Sequence, residues 1–162
     1  MTLYNRIIAW LFSLVLMIFP SLERYSPPLD WETAALVVLE AIETRDIDTI
    51  EAFMCKNIKD NYPNLHDDIG KFIDTIEGEI VSLSKSASNG SGSYSSSGGK
   101  TVEQKHSAWY IETAKNTYAL VIHWEIYNNY EFEERGIRSM GLSVKVDYGY
   151  GWEGCGESIS AT

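Results

Sequence analysis

Phe72-Ile73-Asp74-Thr75-Ile76-Glu77-Gly78-Glu79-Ile80-Val81-Ser82 is the stretch in which the chain changes period. Up to Ile76 the apolar residues recur at helical spacing; from Ile80 onward they alternate, as in a strand with one buried face. Gly78 stands at the change, and glycine stops a helix readily because it takes a left-handed backbone without strain. Helices therefore come first and sheet second. This order predicts an α+β domain in which three N-terminal helices pack on a curved four-stranded antiparallel sheet.

Working back from Gly78, Leu65, Ile69, Phe72, Ile73 and Ile76 form the buried stripe of one helix, opened by Asn64, with Asp67, Asp68, Asp74 and Glu77 facing water. Asn61-Tyr62-Pro63 closes the helix before it, which starts at the cap Asp46 and turns Ile47, Ile50, Phe53, Met54 and Ile58 inward. The first helix runs from Trp31 to Thr44 behind the cap Asp30, with Ala35, Val38, Leu39 and Ile42 on one face.

Working forward, Glu79 to Lys85 reads as a strand. Ser86 to Gly99 is a Ser/Gly tract with almost nothing to bury, expected to be a flexible hairpin connection. Thr101 to Thr113 is the next strand, Ala114-Lys115-Asn116 its turn, and Thr117 to Asn128 the third strand. The fourth runs from Gly136 to about Tyr150, after a polar loop. In the third strand Tyr118, Leu120, Ile122, Trp124 and Ile126 share the face turned to the helices, and Ala119, Val121, His123, Glu125 and Tyr127 the wet one. In the fourth, Met140, Leu142, Val144, Val146 and Tyr148 share a face. Residues 30–150 thus form one domain, and the glycine-rich 151–162 segment is expected to be a flexible tail.

Residues 1–26 read differently. Asn5-Arg6 precedes an almost unbroken apolar run, Ile7 to Phe19, and then Pro20, Pro27 and Pro28. The run is shorter than the ~20 residues of a spanning helix and matches the ~7–15-residue core of a secretory signal. Export is the expectation, with residues 7–19 cleaved off or kept as a membrane anchor. The chain carries 23 acidic against 13 basic residues, a formal charge of -10. That sign opposes binding to nucleic acid and to anionic bilayers, so membrane contact is expected through the N-terminal segment only. Cys55 and Cys155 are the only cysteines. In an exported protein they are candidates for one disulfide, while Cys55, among Phe53, Met54 and Ile58, also fits a free buried thiol.

The helices-then-sheet order over about Asp30 to Tyr150 resembles the nuclear transport factor-like, or cystatin-like, cone fold. The segments Asp30-Trp31-Glu32-Thr33-Ala34-Ala35, Arg45-Asp46-Ile47-Asp48-Thr49, Cys55-Lys56-Asn57-Ile58-Lys59, Pro63-Asn64-Leu65 and Ile76-Glu77-Gly78-Glu79-Ile80-Val81-Ser82 are similar to an uncharacterised family of exported bacterial proteins, commonly lipoproteins. The resemblance implies a cone with a pocket and an envelope address, and no activity. A lipid-acceptor cysteine after the apolar run is missing here.

Cones of this type host acid–base enzymes, which need a His or carboxylate in the pocket. The local candidates are His123 and Glu125, with Tyr127 next along, but alternation puts them on the wet face, where they instead suit self-association. His66, beside Asp67 and Asp68, and His106 are lone histidines; neighbouring positions diverge around a helix and cannot close on one ion. No metal or cofactor motif is present. Phe72, Trp109, Tyr118, Trp124 and Tyr148 are expected to wall a small-molecule site, with core packing as the competing reading. The function expected is an exported or membrane-tethered module that binds a small apolar ligand or a protein partner, including a second copy through the sheet face. The alternative is an isomerase- or dehydratase-type enzyme using a pocket His or carboxylate.

Overall fold

The computed structural model describes residues 29–145, 152–155 and 158–160. The 1–26 leader and Tyr148 lie outside them. The domain is α+β, with four helices and a seven-stranded antiparallel sheet. The helices are α1 (Trp31–Thr44), α2 (Ile47–Phe53), α3 (Lys56–Asn61) and α4 (Leu65–Asp74). The strands are β1 (Ile80–Lys85), β2 (Gly92–Ser97), β3 (Lys100–Thr113), β4 (Thr117–Asn128), β5 (Gly136–Lys145), β6 (Trp152–Gly154) and β7 (Ile159–Ser160). No described helix is long and apolar enough to cross a membrane.

The two aspartate caps act as the sequence predicts. Asp30 accepts from the Thr33 amide at 3.3 Å and hydroxyl at 2.7 Å, and Asp46 accepts from the same two groups of Thr49 at 3.1 and 2.6 Å. These bonds, the hydroxyl ones first, hold both carboxyls below their ordinary value of 3.8. Gly78, at φ +93°, turns the chain from the helices into β1.

The helix expected from Asp46 to Asn61 is two helices. Met54 is extended and bridges Ile137 in parallel, and the Cys55 amide donates to the Ile137 carbonyl at 3.0 Å. The start of β5 thus takes over backbone groups that an unbroken helix would have used itself. Gly136 makes the approach feasible: its φ is +135°, and a Cβ there would lie 2.4 Å from the Phe53 carbonyl oxygen.

Three long strands, β3, β4 and β5, form the centre of the sheet. β1 and β2 run end to end along the outer side of β3, and β6 and β7 along the outer side of β5. Two of these short strands correct the sequence reading. The second half of the Ser/Gly tract is β2, paired residue for residue from Gly92↔Lys105 to Ser97↔Lys100. All six of its residues are exposed, so it is held by its backbone ladder and carries no apolar period to betray it. The tail is docked as well: Ile159 is buried beside Met140, and Ser160 exchanges two 3.1 Å hydrogen bonds with the Tyr62 hydroxyl.

One core joins the buried faces of α1, α2, α3 and α4 to the inward face of β3, β4 and β5. Cys55 lies inside it, and both cysteines are free thiols. Burial pushes the Cys55 and Cys155 thiols up from their ordinary 9.0. Ellman titration of the native chain should therefore show at most one reactive thiol, Cys155, with Cys55 appearing only on unfolding. Two slow thiols released by reductant alone would contradict this arrangement.

Candidate functional site

Three of the five aromatic residues expected to wall a pocket are packed in the core. Phe72, Tyr118 and Trp124 are 1%, 2% and 0% exposed and belong to the common core. Their polar ends are used internally. The Trp124 indole N–H donates to Ser107 Oγ at 3.0 Å, and the Tyr118 hydroxyl receives the Glu77 amide at 2.9 Å and the Asn116 side-chain amide at 3.2 Å. Phe53 meets Trp124 edge to face, ring centres 6.2 Å apart. Trp109 is half-buried against the core, its Nε1 shielded and without an acceptor among the described residues. A depression between the ends of α1 and α4 and the start of β1 has Ile42, Ile73, Ile76 and Ile80 beneath a rim of Glu43, Arg45 and Glu79. At about 250 Å³ it falls short of the ~300–1,000 Å³ of typical small-molecule sites.

The polar trio expected on the wet face does not assemble. His123 is exposed, Tyr127 packs against the core, and Glu125 is 1% exposed, which corrects its assignment to the wet side. The register shifts next to it, between Glu103 and Gln104 on β3 and between His123 and Trp124 where β4 meets β5. This irregularity lets Arg138 fold over Glu125. Arg138 donates to Glu125 Oε2 at 2.7 Å, Asn128 donates to Oε1 at 2.6 Å, and Gln104 reaches Oε2 at 3.5 Å. Asn128 also accepts the Tyr130 and Glu131 amides at 2.9 and 2.7 Å. Both carboxylate oxygens are thus engaged in tying three strands to the 129–135 loop, leaving Glu125 unsuited to take a proton from a substrate.

His123 faces His106 instead. The two are direct partners across β3 and β4, with ring centres 5.9 Å apart and planes 45° apart. They open onto a shallow groove with Ser91, Gly92, Ser93, Gln104 and Lys105. Although much of its surface meets solvent, partial desolvation of the ring against the sheet, and after it the neighbouring His106, hold the His123 imidazole below its ordinary 6.5. Ser91 Oγ lies 2.7 Å from His106 Nδ1 and 2.9 Å from Nε2. An oxygen so nearly equidistant from both nitrogens sits over the ring, away from the in-plane lone pair that a general base uses, so the pair is not an activated nucleophile. His66, expected beside Asp67 and Asp68, faces α2 and lies 3.3 Å from Glu51 and 3.6 Å from Asp48, all on the surface. No group of three or more potential metal ligands is present among the described residues.

Another surface feature is a strand edge. β2 is bonded to β3 on one side, and no described strand covers its other side. Residues 86–99 contain no charged side chain, and β2 itself reads Gly-Ser-Tyr-Ser-Ser-Ser, with Tyr94 67% exposed. Gly92 sets the close approach of this strand, since a Cβ there would lie 2.1 Å from the Gln104 carbonyl oxygen.

A family model described as a domain of unknown function, DUF5104, matches residues 37–146, from within α1 to the end of β5. The chain belongs to the DUF5104 family. No curated protein matches it. The matched stretch of this DUF5104 domain holds the split helix, the Glu125–Arg138 pair, the histidine pair and the β2 edge, while β6 and β7 lie beyond it.

Proposed function

We propose that this DUF5104 domain is a non-enzymatic binding module that takes an extended segment of a partner protein as an added strand along β2. The supporting observation is the edge itself. Folded proteins guard exposed edge strands with charge, proline or bulges, because a row of unpaired N–H and C=O groups recruits other chains. This six-residue edge carries none of those guards along its length. Strand addition draws affinity from the main chain and selectivity from alternate side chains. The uncharged tract also gives an acidic chain a place where a partner meets little repulsion.

The address follows from the apolar run at residues 7–19, which supports export or tethering at the cell envelope. Helices that precede an antiparallel sheet and share its core also support reading the domain as a nuclear transport factor-like cone. Its interior is filled by Phe72, Tyr118 and Trp124, which favours a protein partner over a small apolar ligand. The engaged oxygens of Glu125 weigh against an acid–base enzyme.

A photo-crosslinking residue placed at Ser95 tests this reading in cells making the full chain, with the same residue at Glu40 on α1 as control. The expected result is a discrete crosslinked protein at Ser95 only, abolished by Tyr94→Lys combined with Ser96→Lys. A product of the same mass from both positions, one that survives the two lysines, or none from Ser95 would overturn it.

A further inference from the structure

We propose that His106 and His123 form a binding site for a borderline divalent transition-metal ion such as zinc, nickel or copper(II), with two imidazole ligands from the protein and water completing the shell. Imidazole suits these metals. With metal–nitrogen bonds of about 2.0–2.1 Å and ring nitrogens roughly 1.2 Å from their ring centres, two imidazoles on one tetrahedral ion have centres roughly 5.3 Å apart. The observed 5.9 Å is within a small side-chain rotation of that arrangement.

Register supplies the preorganisation. The two residues are opposed on adjacent strands, so the β3–β4 ladder fixes their separation without any local sequence spacing. Both rings reach solvent, and neither takes part in an ion pair among the described residues. The groove adds the Ser91 hydroxyl and the Gln104 side chain beside them. Lys105, the neighbouring cation, lies 3.3 Å from Glu103, which offsets its charge. With two protein ligands and no third, the affinity expected is micromolar, well below that of a four-ligand structural zinc site.

The test is calorimetric titration of the full chain with zinc chloride and, separately, nickel chloride, alongside nuclear magnetic resonance of the histidine rings. One ion per chain is expected, with the His106 and His123 ring signals of the unaltered protein moving first. His106→Ala and His123→Ala should each weaken binding at least tenfold with unchanged far-ultraviolet dichroism, and His66→Ala should leave it as it was. No saturable binding, affinity retained in both His106→Ala and His123→Ala, or affinity lost in His66→Ala would overturn the assignment. Because the ring signals are read on the unaltered chain, a variant that fails to fold leaves the proposal open to refutation.

Discussion

Gly136→Ala should cost about 3 kcal/mol or more of folding stability. Two causes act together. The residue has φ +135°, which an L side chain rarely adopts, and the new methyl carbon would lie 2.4 Å from the Phe53 carbonyl oxygen and 3.1 Å from the Cys55 amide nitrogen. Those are backbone atoms that cannot rotate away. Relief requires β5 to draw back from the break between α2 and α3, giving up the Cys55–Ile137 hydrogen bond and the Met54 bridge. Gly141 in the same strand is the control, since nothing lies within 4 Å of its Cβ position. Gly141→Ala should be neutral or stabilise by about 0.5 kcal/mol. Urea unfolding of the three proteins decides it, and equal midpoints for Gly136→Ala and the unaltered chain would show that the close approach is not a constraint.

The second large effect concerns Glu125. Arg138→Met removes a cation bonded to a carboxylate that is 1% exposed, and the Asn128 and Gln104 amides that stay on it carry no charge. Breaking a buried pair from one side typically costs about 3–5 kcal/mol, because the remaining charge stays out of water without compensation. Adding Glu125→Gln to Arg138→Met should restore more than half of that loss, since a neutral amide of the same shape keeps its bond to Asn128 and carries no stranded charge. The converse single change, Glu125→Gln, should cost less, because the Arg138 side chain is 34% exposed and its head can reach solvent. If Arg138→Met proved neutral, or Glu125→Gln proved the more damaging, the pair would not be what holds β3, β4 and β5 to the 129–135 loop.

These two sites mark where sequence reasoning reached its limit. The starts of the first two helices were legible, because Asp30 and Asp46 each stand three residues before a threonine whose amide and hydroxyl they accept. The β3–β4 hairpin was legible from alternation and the Ala114-Lys115-Asn116 turn. The break at Met54-Cys55 was not, since neither residue is a helix breaker and the cause is a distant strand that docks through Gly136. Strand β2 was hidden because period depends on buried side chains and it has none. Alternation put Glu125 beside His123 on a wet face; the bulges that tuck it under Arg138 are features of pairing between strands. The same holds for His106 and His123, which only the register brings together. For Phe72, Tyr118 and Trp124, a pocket wall and a solid core have the same composition, and packing alone separates them.

Binding on an unguarded strand edge outside a filled core is the central proposal for this domain. Amide hydrogen exchange over residues 86–99, compared between the free chain and the chain loaded with the protein crosslinked at Ser95, tests this most directly. Fast exchange is expected in the free chain at those β2 amides that point away from β3, with strong protection at the same positions once the partner is bound. Protection confined to the depression around Ile42, Ile76 and Ile80, with β2 unchanged, would contradict it.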